Sequence, residues 1–139
     1  MQNSFYMSLK DIIPSQLYVS EEKLLSVGSW FSSSEIDKYE PIPIKELDGA
    51  ILFTDGHTRA LATYLSGVNV IKVCWDEDDL DWDVYRECVK WCVDEGISWV
   101  GDLSHRIIPH DQYKKLWLDR CKKMQDKLKI ERESFYGQR

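Results

Sequence analysis

Across residues 41–75 the hydrophobic period switches from two to that of a helix and back again, and this double switch constrains the fold more than any other feature of the chain. Pro41-Ile42-Pro43-Ile44-Lys45-Glu46-Leu47 alternates apolar with other residues, and Ala50-Ile51-Leu52-Phe53-Thr54 follows directly after Asp48-Gly49. Asp-Gly tolerates the positive φ angles of a two-residue turn, so the segment predicts a β-hairpin. Its prolines cannot donate to a ladder and confine the first arm to a sheet edge or a strand start. Asp55-Gly56-His57-Thr58-Arg59 then leads into Ala60-Leu61-Ala62-Thr63-Tyr64-Leu65-Ser66, Gly67 stops that helix, and residues 68–75 form a third β-rich run. Strand, tight turn, helix, glycine and strand predict a compact βαβ-like unit packed on its own sheet.

The flanks extend this unit. Leu9-Lys10-Asp11-Ile12-Ile13-Pro14 reads as a short extended segment, residues 15–19 as a loop, and Ser20 as the cap of a short helix with Glu21 and Glu22 in its first turn and Gly28 as its stop. Residues 29–40 read as an irregular connection. From residue 80 to 94, Leu80, Val84, Tyr85, Cys88, Val89, Trp91 and Cys92 share one helical face. A last helix opens at Pro109, with an inner stripe of Tyr113, Leu116, Trp117, Cys121, Met124 and Leu128. At 139 residues the chain is expected to form a single α+β domain over 1–139, a small mixed sheet flanked by helices at 9–75 and a mainly helical extension at 76–139.

A net charge of −6 argues against a surface that attracts nucleic acid along its whole length. Residues 114–132 nevertheless hold eight basic and three acidic residues, so the last helix offers a local basic face to nucleic acid or to an acidic partner. Residues 76–83 include six acids, which suit the positive end of the helix that follows, with a divalent metal as the alternative. Cys74, Cys88, Cys92 and Cys121 lack C-x-x-C spacing and read as reduced thiols of a cytoplasmic protein, with no redox signature in their spacing. Cys88 and Cys92 lie one helical turn apart, as small buried hydrophobes or as a pair turned toward a metal. No stretch has a secretory pattern or transmembrane length, so no membrane partner is expected. No P-loop, zinc-ligand spacing or nucleophile elbow is present.

The 55–59 turn concentrates the chemistry. The first amides of a helix have no internal partners and Gly56 allows close approach, so a phosphate can accept from them. Arg59 is suited to fork onto phosphate oxygens, His57 to donate to another, and Thr58 to cap the helix or bind the ligand. Asp55 would hold Mg²⁺, orient a neighbour or accept a proton from a substrate hydroxyl. The plainer alternative has Asp55 and Thr58 as turn and cap residues, with His57 and Arg59 in solvent.

Together, Leu9-Lys10-Asp11-Ile12-Ile13-Pro14, Pro41-Ile42-Pro43-Ile44 and Phe53-Thr54-Asp55-Gly56-His57-Thr58-Arg59-Ala60 resemble the ParB/sulfiredoxin-like superfamily over residues 9–75. The resemblance implies that Gly56, His57, Thr58 and Arg59 bind nucleotide phosphates, those of CTP in partition proteins and of ATP or ADP in the enzymes. His57 stands where sulfiredoxins carry a catalytic cysteine, and Thr58 where partition proteins carry a second arginine. The turn is closer to the Asp-Gly-His-Thr-Arg form of free-serine kinases, which implies an ATP- or ADP-dependent phosphotransferase acting on a small hydroxyl compound. Asp55 and Glu22 are then the candidate catalytic residues, with Glu21 an alternative to Glu22. The competing expectation is a non-catalytic nucleotide- or DNA-binding regulatory module, and a third is a scaffold that retains the fold alone.

Overall fold

The computed structural model describes residues 3–137. It runs β1 (Ser4–Ser8), β2 (Val19–Ser20), α1 (Glu21–Gly28), β3 (Ile42–Leu47), β4 (Ala50–Phe53), α2 (His57–Leu65), β5 (Val70–Trp75), α3 (Trp82–Asp94), β6 (Ile107–Ile108), α4 (His110–Tyr113) and α5 (Asp119–Gly137). Asp48 and Gly49 close the β3–β4 hairpin with φ of 52° and 86°, as a two-residue turn between right-twisted strands requires.

The four-stranded sheet has the order β1-β5-β3-β4, with β1 antiparallel to β5, β5 parallel to β3, and β3 antiparallel to β4. The parallel partner of β5 is therefore the first hairpin arm, not the second, and the connection through α2 crosses over β3. Pro43 is the second residue of β3, so of the two positions open to it the strand start holds, although the strand itself lies inside the sheet. Phe5 and Met7 are partly buried while Ser4 and Tyr6 are exposed, an alternation that makes 4–8 a strand. The extended segment expected at 9–14 is different. Leu9–Asp11 is a 3-10 turn capped by Ser8, and only Ile13 reaches the sheet, bridging Leu52. Val19, expected in a loop, and the helix cap Ser20 pair in parallel with Ile107 and Ile108.

The core lies between the sheet and the helices. Ile44, Phe53, Leu61, Val73 and Leu103 are fully buried, and each would lose roughly 2–5 kcal/mol on truncation to a small side chain. The Ser20 hydroxyl accepts from the Lys23 amide and so caps α1 as expected. In α3 the expected face is inward at Cys88 and Cys92, and Gly96, at φ 76°, reverses the chain after it. From α4 a π-helical turn (Lys114–Leu118) leads into α5. Each such turn adds a residue to the period, so Trp117 is buried at 6% exposure whereas Leu116, expected beside it, is 44% exposed. Arg132 of α5 reaches back to Asp81 and Asp83 at the start of α3, engaging two acids of the 76–83 tract. No described helix is long and apolar enough to cross a membrane.

Candidate functional site

The turn after β4 is held from several sides. The Thr54 hydroxyl donates to Asp76 Oδ2 at 2.6 Å, and the Tyr85 hydroxyl donates to the Thr54 carbonyl at 3.2 Å. Burial pushes the Tyr85 phenol above its ordinary value, so it remains a donor. Asp55 Oδ1 accepts from the Gly56 amide at 2.8 Å. Gly56 itself has φ 77°, and a Cβ there would lie 2.8 Å from Ile42 Cγ2. Packing as well as handedness therefore demands glycine.

Gly56 is the N-cap of α2, and no side chain caps the helix. The first helical bond runs from the Ala60 amide to the Gly56 carbonyl at 2.9 Å. The amides of His57, Thr58 and Arg59 consequently have no acceptor among the described residues. A short anion can take these three donors together at the positive end of the helix.

His57 plays a different part from a charged phosphate ligand. It is buried, its ring meets Phe53 edge-on at 5.6 Å, and its Nε2 accepts from the Ser15 amide at 2.9 Å. An amide can only donate, so Nε2 is unprotonated and the neutral ring carries its hydrogen on Nδ1. Burial lowers its pKa to about 4, against a smaller opposing effect from the Asp55 charge. Any donation to a ligand must come from Nδ1. Thr58 is partly buried and its hydroxyl has no hydrogen-bond partner among the described residues. Arg59 turns away from the amides: its Nη1 donates to the Glu40 carbonyl at 2.7 Å, in a recess formed with Phe31, Ile36 and Tyr39. Glu22 is exposed on the first turn of α1 and lines neither of the clefts that flank the turn.

Those two clefts meet at Thr54, Asp55 and Tyr85. One, of about 630 Å³, is acidic, with Asp55, Asp76, Glu77 and Asp78 in its walls. The other, of about 590 Å³, runs between the turn, α3 and α5, past His57, Cys88, Trp117 and Cys121 to Lys129 and Arg132. Arg132 is committed to Asp81 and Asp83, whereas Lys129 has no carboxylate within 4 Å among the described residues. Asp55 is thus the expected site residue with access to both spaces, and the structure brings His57 to the second. Ser15, Asp76 and Tyr85 belong to the site but carry no local sequence signal. Ser15 lies in an apparent loop, Asp76 in an acid tract, and Tyr85 on a stripe that reads as core.

No family model matches the chain, and no curated protein does. Among solved structures the chain is similar to protein Atu1540 of Agrobacterium tumefaciens, at a TM-score of 0.43 and 15% identity. The match covers 71% of this chain and 51% of the other, so the chain spans about half of that protein's length. A likeness this loose defines neither family nor function. What fold and site define is a small α+β domain with an uncapped helix N-terminus, of which His57 lines one of two clefts that meet at Thr54, Asp55 and Tyr85, while Gly56, Thr58 and Arg59 line neither.

Proposed function

We propose that this is a nucleotide-phosphate-binding domain of the ParB/sulfiredoxin-like kind, and that it transfers a phosphoryl group from ATP or ADP to a small hydroxyl compound. The observation that carries the reading is the row of three unpartnered amides, His57, Thr58 and Arg59, following a glycine that no other residue can replace without strain. Phosphoryl transfer depends mainly on positioning and charge stabilisation, so a short turn of this kind suffices for the phosphate end.

The acidic cleft bears on the metal. Mg²⁺ commonly takes one or two carboxylates, with phosphate oxygens and water completing its octahedron. Asp55 and Asp76 both line that cleft, and no cluster of three ligating side chains occurs among the described residues. This donor set fits an ion that arrives with the nucleotide rather than one resident in the protein. Asp55, at the edge of both clefts, is the group suited to take the acceptor's hydroxyl proton. Arg59 would need to leave Glu40 to reach a phosphate, so its contribution depends on a ligand-induced turn of the side chain.

The test is to incubate the purified chain with Mg²⁺ and ATP, ADP or CTP, alone and with a panel of hydroxyl compounds, following binding by calorimetry and products by phosphorus NMR. Saturable binding of at least one nucleotide is expected. Transfer should be lost in Asp55→Asn while binding persists. Failure of all three nucleotides to bind would end the proposal, and binding without transfer would leave the regulatory-module version.

A nucleic-acid role has one observation in its favour. Lys122 and Lys123 of α5 are exposed and have no carboxylate within 4 Å among the described residues. In that version DNA affinity falls steeply with salt and is lost in Lys122→Glu/Lys123→Glu.

A further inference from the structure

The cleft between the turn, α3 and α5 contains a donor with no acceptor. His57 is 5% exposed, and its Nε2 takes the Ser15 amide, so its hydrogen sits on Nδ1. That Nδ1 has no partner among the described residues, yet none of their buried side-chain nitrogens or oxygens is left unpaired. Nδ1 therefore opens into the cleft of about 590 Å³ that the ring lines, where it calls for an acceptor. We propose that this cleft binds an alcohol with an apolar body and an acid group far from its hydroxyl, and that this alcohol is the phosphoryl acceptor. The proposal rests on the phosphotransfer reading for the fate of the hydroxyl, whereas the binding itself needs no nucleotide.

Three parts of the cleft match three parts of such a ligand. At one end Asp55 lines the same space as His57. A hydroxyl suits both groups at once, since its oxygen accepts from Nδ1–H and its hydrogen is donated to the carboxylate. An acid group there would meet the Asp55 charge. In the middle Val84, Cys88, Trp117 and Cys121 offer apolar walls. At the other end the Arg132 fork takes Asp81, and Lys129 has no carboxylate within 4 Å among the described residues. A ligand's acid group can pair with this ammonium without displacing a protein partner. The ends are well separated. Gln16, next to Ser15, reaches the Tyr113 hydroxyl ahead of α5, whereas Lys129 lies well along that helix. Between Cys121 and Lys129, which both face the cleft, α5 rises roughly 12 Å. A medium-length chain met by the flexible lysine stem spans that rise, and a short hydroxy acid does not.

The plainer account is a hydrated groove with water on Nδ1. The experiment that separates the two titrates the full chain, without nucleotide, with ω-hydroxyoctanoate, octanoate and octanol. Calorimetry follows affinity, and the nitrogen-15 resonance of His57 Nδ1 follows the donor. ω-Hydroxyoctanoate should bind saturably and move that resonance. Octanoate, which lacks the hydroxyl, and octanol, which lacks the acid, should each bind about tenfold more weakly. Lys129→Ala, a change at an exposed position of α5, should reduce ω-hydroxyoctanoate to the octanol level and leave octanol unaffected. No saturable binding, equal affinity for all three probes or an unmoved Nδ1 resonance would overturn the proposal, whether or not nucleotides bind. The expected pattern in a chain that binds no nucleotide would uphold the alcohol site and end the phosphotransfer reading alone.

Discussion

The amide of Ser15 donates to Nε2 of His57 at 2.9 Å, and this bond ties the segment before β2 to the first residue of α2. The Ser15 hydroxyl adds a second tie, donating to the Phe53 carbonyl at 2.8 Å. The position of the whole turn thus depends on a histidine that stays neutral.

That dependence sets a pH response. The folded pKa of His57, about 4, lies below the ordinary 6.5, so the unfolded chain takes the proton first. The stability this group contributes is complete above about pH 6.5, falls as pH drops toward about 4, and changes no further below that. The loss is on the order of 3 kcal/mol at most. Urea unfolding from pH 7 to pH 4 checks it, compared with His57→Gln, whose side-chain oxygen can still accept from Ser15 but cannot take a charge. The difference between the two pH profiles should have this shape, and parallel profiles would rule the linkage out.

Gly56→Ala should destabilise the domain for two separable reasons. The left-handed backbone costs about 1–2 kcal/mol for any residue with a Cβ. The new methyl also meets Ile42 at 2.8 Å. In an Ile42→Ala background the second contribution disappears, so the same glycine substitution should cost less there. Equal costs in the two backgrounds would mean that the Ile42 contact contributes nothing.

Ser20 joins α1 to α4, since its hydroxyl accepts from the Lys23 amide and also bonds His110 Nδ1 at 2.9 Å. Ser20→Ala should cost about 1 kcal/mol, the ordinary value of a lost N-cap. Hydrogen exchange should quicken first in α1, leaving the β3–β5 amides protected. Faster exchange spread evenly over the sheet would contradict a local capping role.

Arg132 fastens the far part of α5 through a fork on Asp81 and a further bond to Asp83. The pairing holds the Asp81 carboxyl below its ordinary value. Exposed pairs of this kind add little to global stability, so Arg132→Ala should barely change the melting temperature. It should instead speed amide exchange in the residues after Met124, more at low salt than at high. A large fall in melting temperature would show that the helix end is part of the cooperative core.

The hairpin, the helix after Gly56 and the two stops at Gly67 and Gly96 were legible because each depends on local chemistry: a turn dipeptide, a change of period, a residue that tolerates positive φ. Strand pairing was not legible to the same degree. Nothing local in 70–75 says that β3 rather than β4 is its parallel neighbour, and the prolines of the first arm favoured an edge for a strand that lies inside the sheet. Residues 4–8 were missed because only Phe5 and Met7 carry the alternation. The π-helical turn was invisible for a related reason: a one-residue shift in period leaves the apolar spacing of Tyr113, Trp117 and Cys121 intact and moves only Leu116 outward. At the site, the sequence located Asp55 and the open amides, which follow from position in the turn. It did not supply the environment of His57 or the direction of Arg59, which are set by Ser15 and Glu40 from distant parts of the chain.

Amide chemical shifts under nucleotide titration test the central claim most directly. In nitrogen-15-labelled protein with Mg²⁺, adding ATP, ADP or CTP should move the His57, Thr58 and Arg59 amide protons downfield together and to saturation, as new charge-assisted hydrogen bonds form. If those three resonances stay in place at saturating nucleotide, or if the shifts gather on α5 instead, the turn does not hold the phosphates.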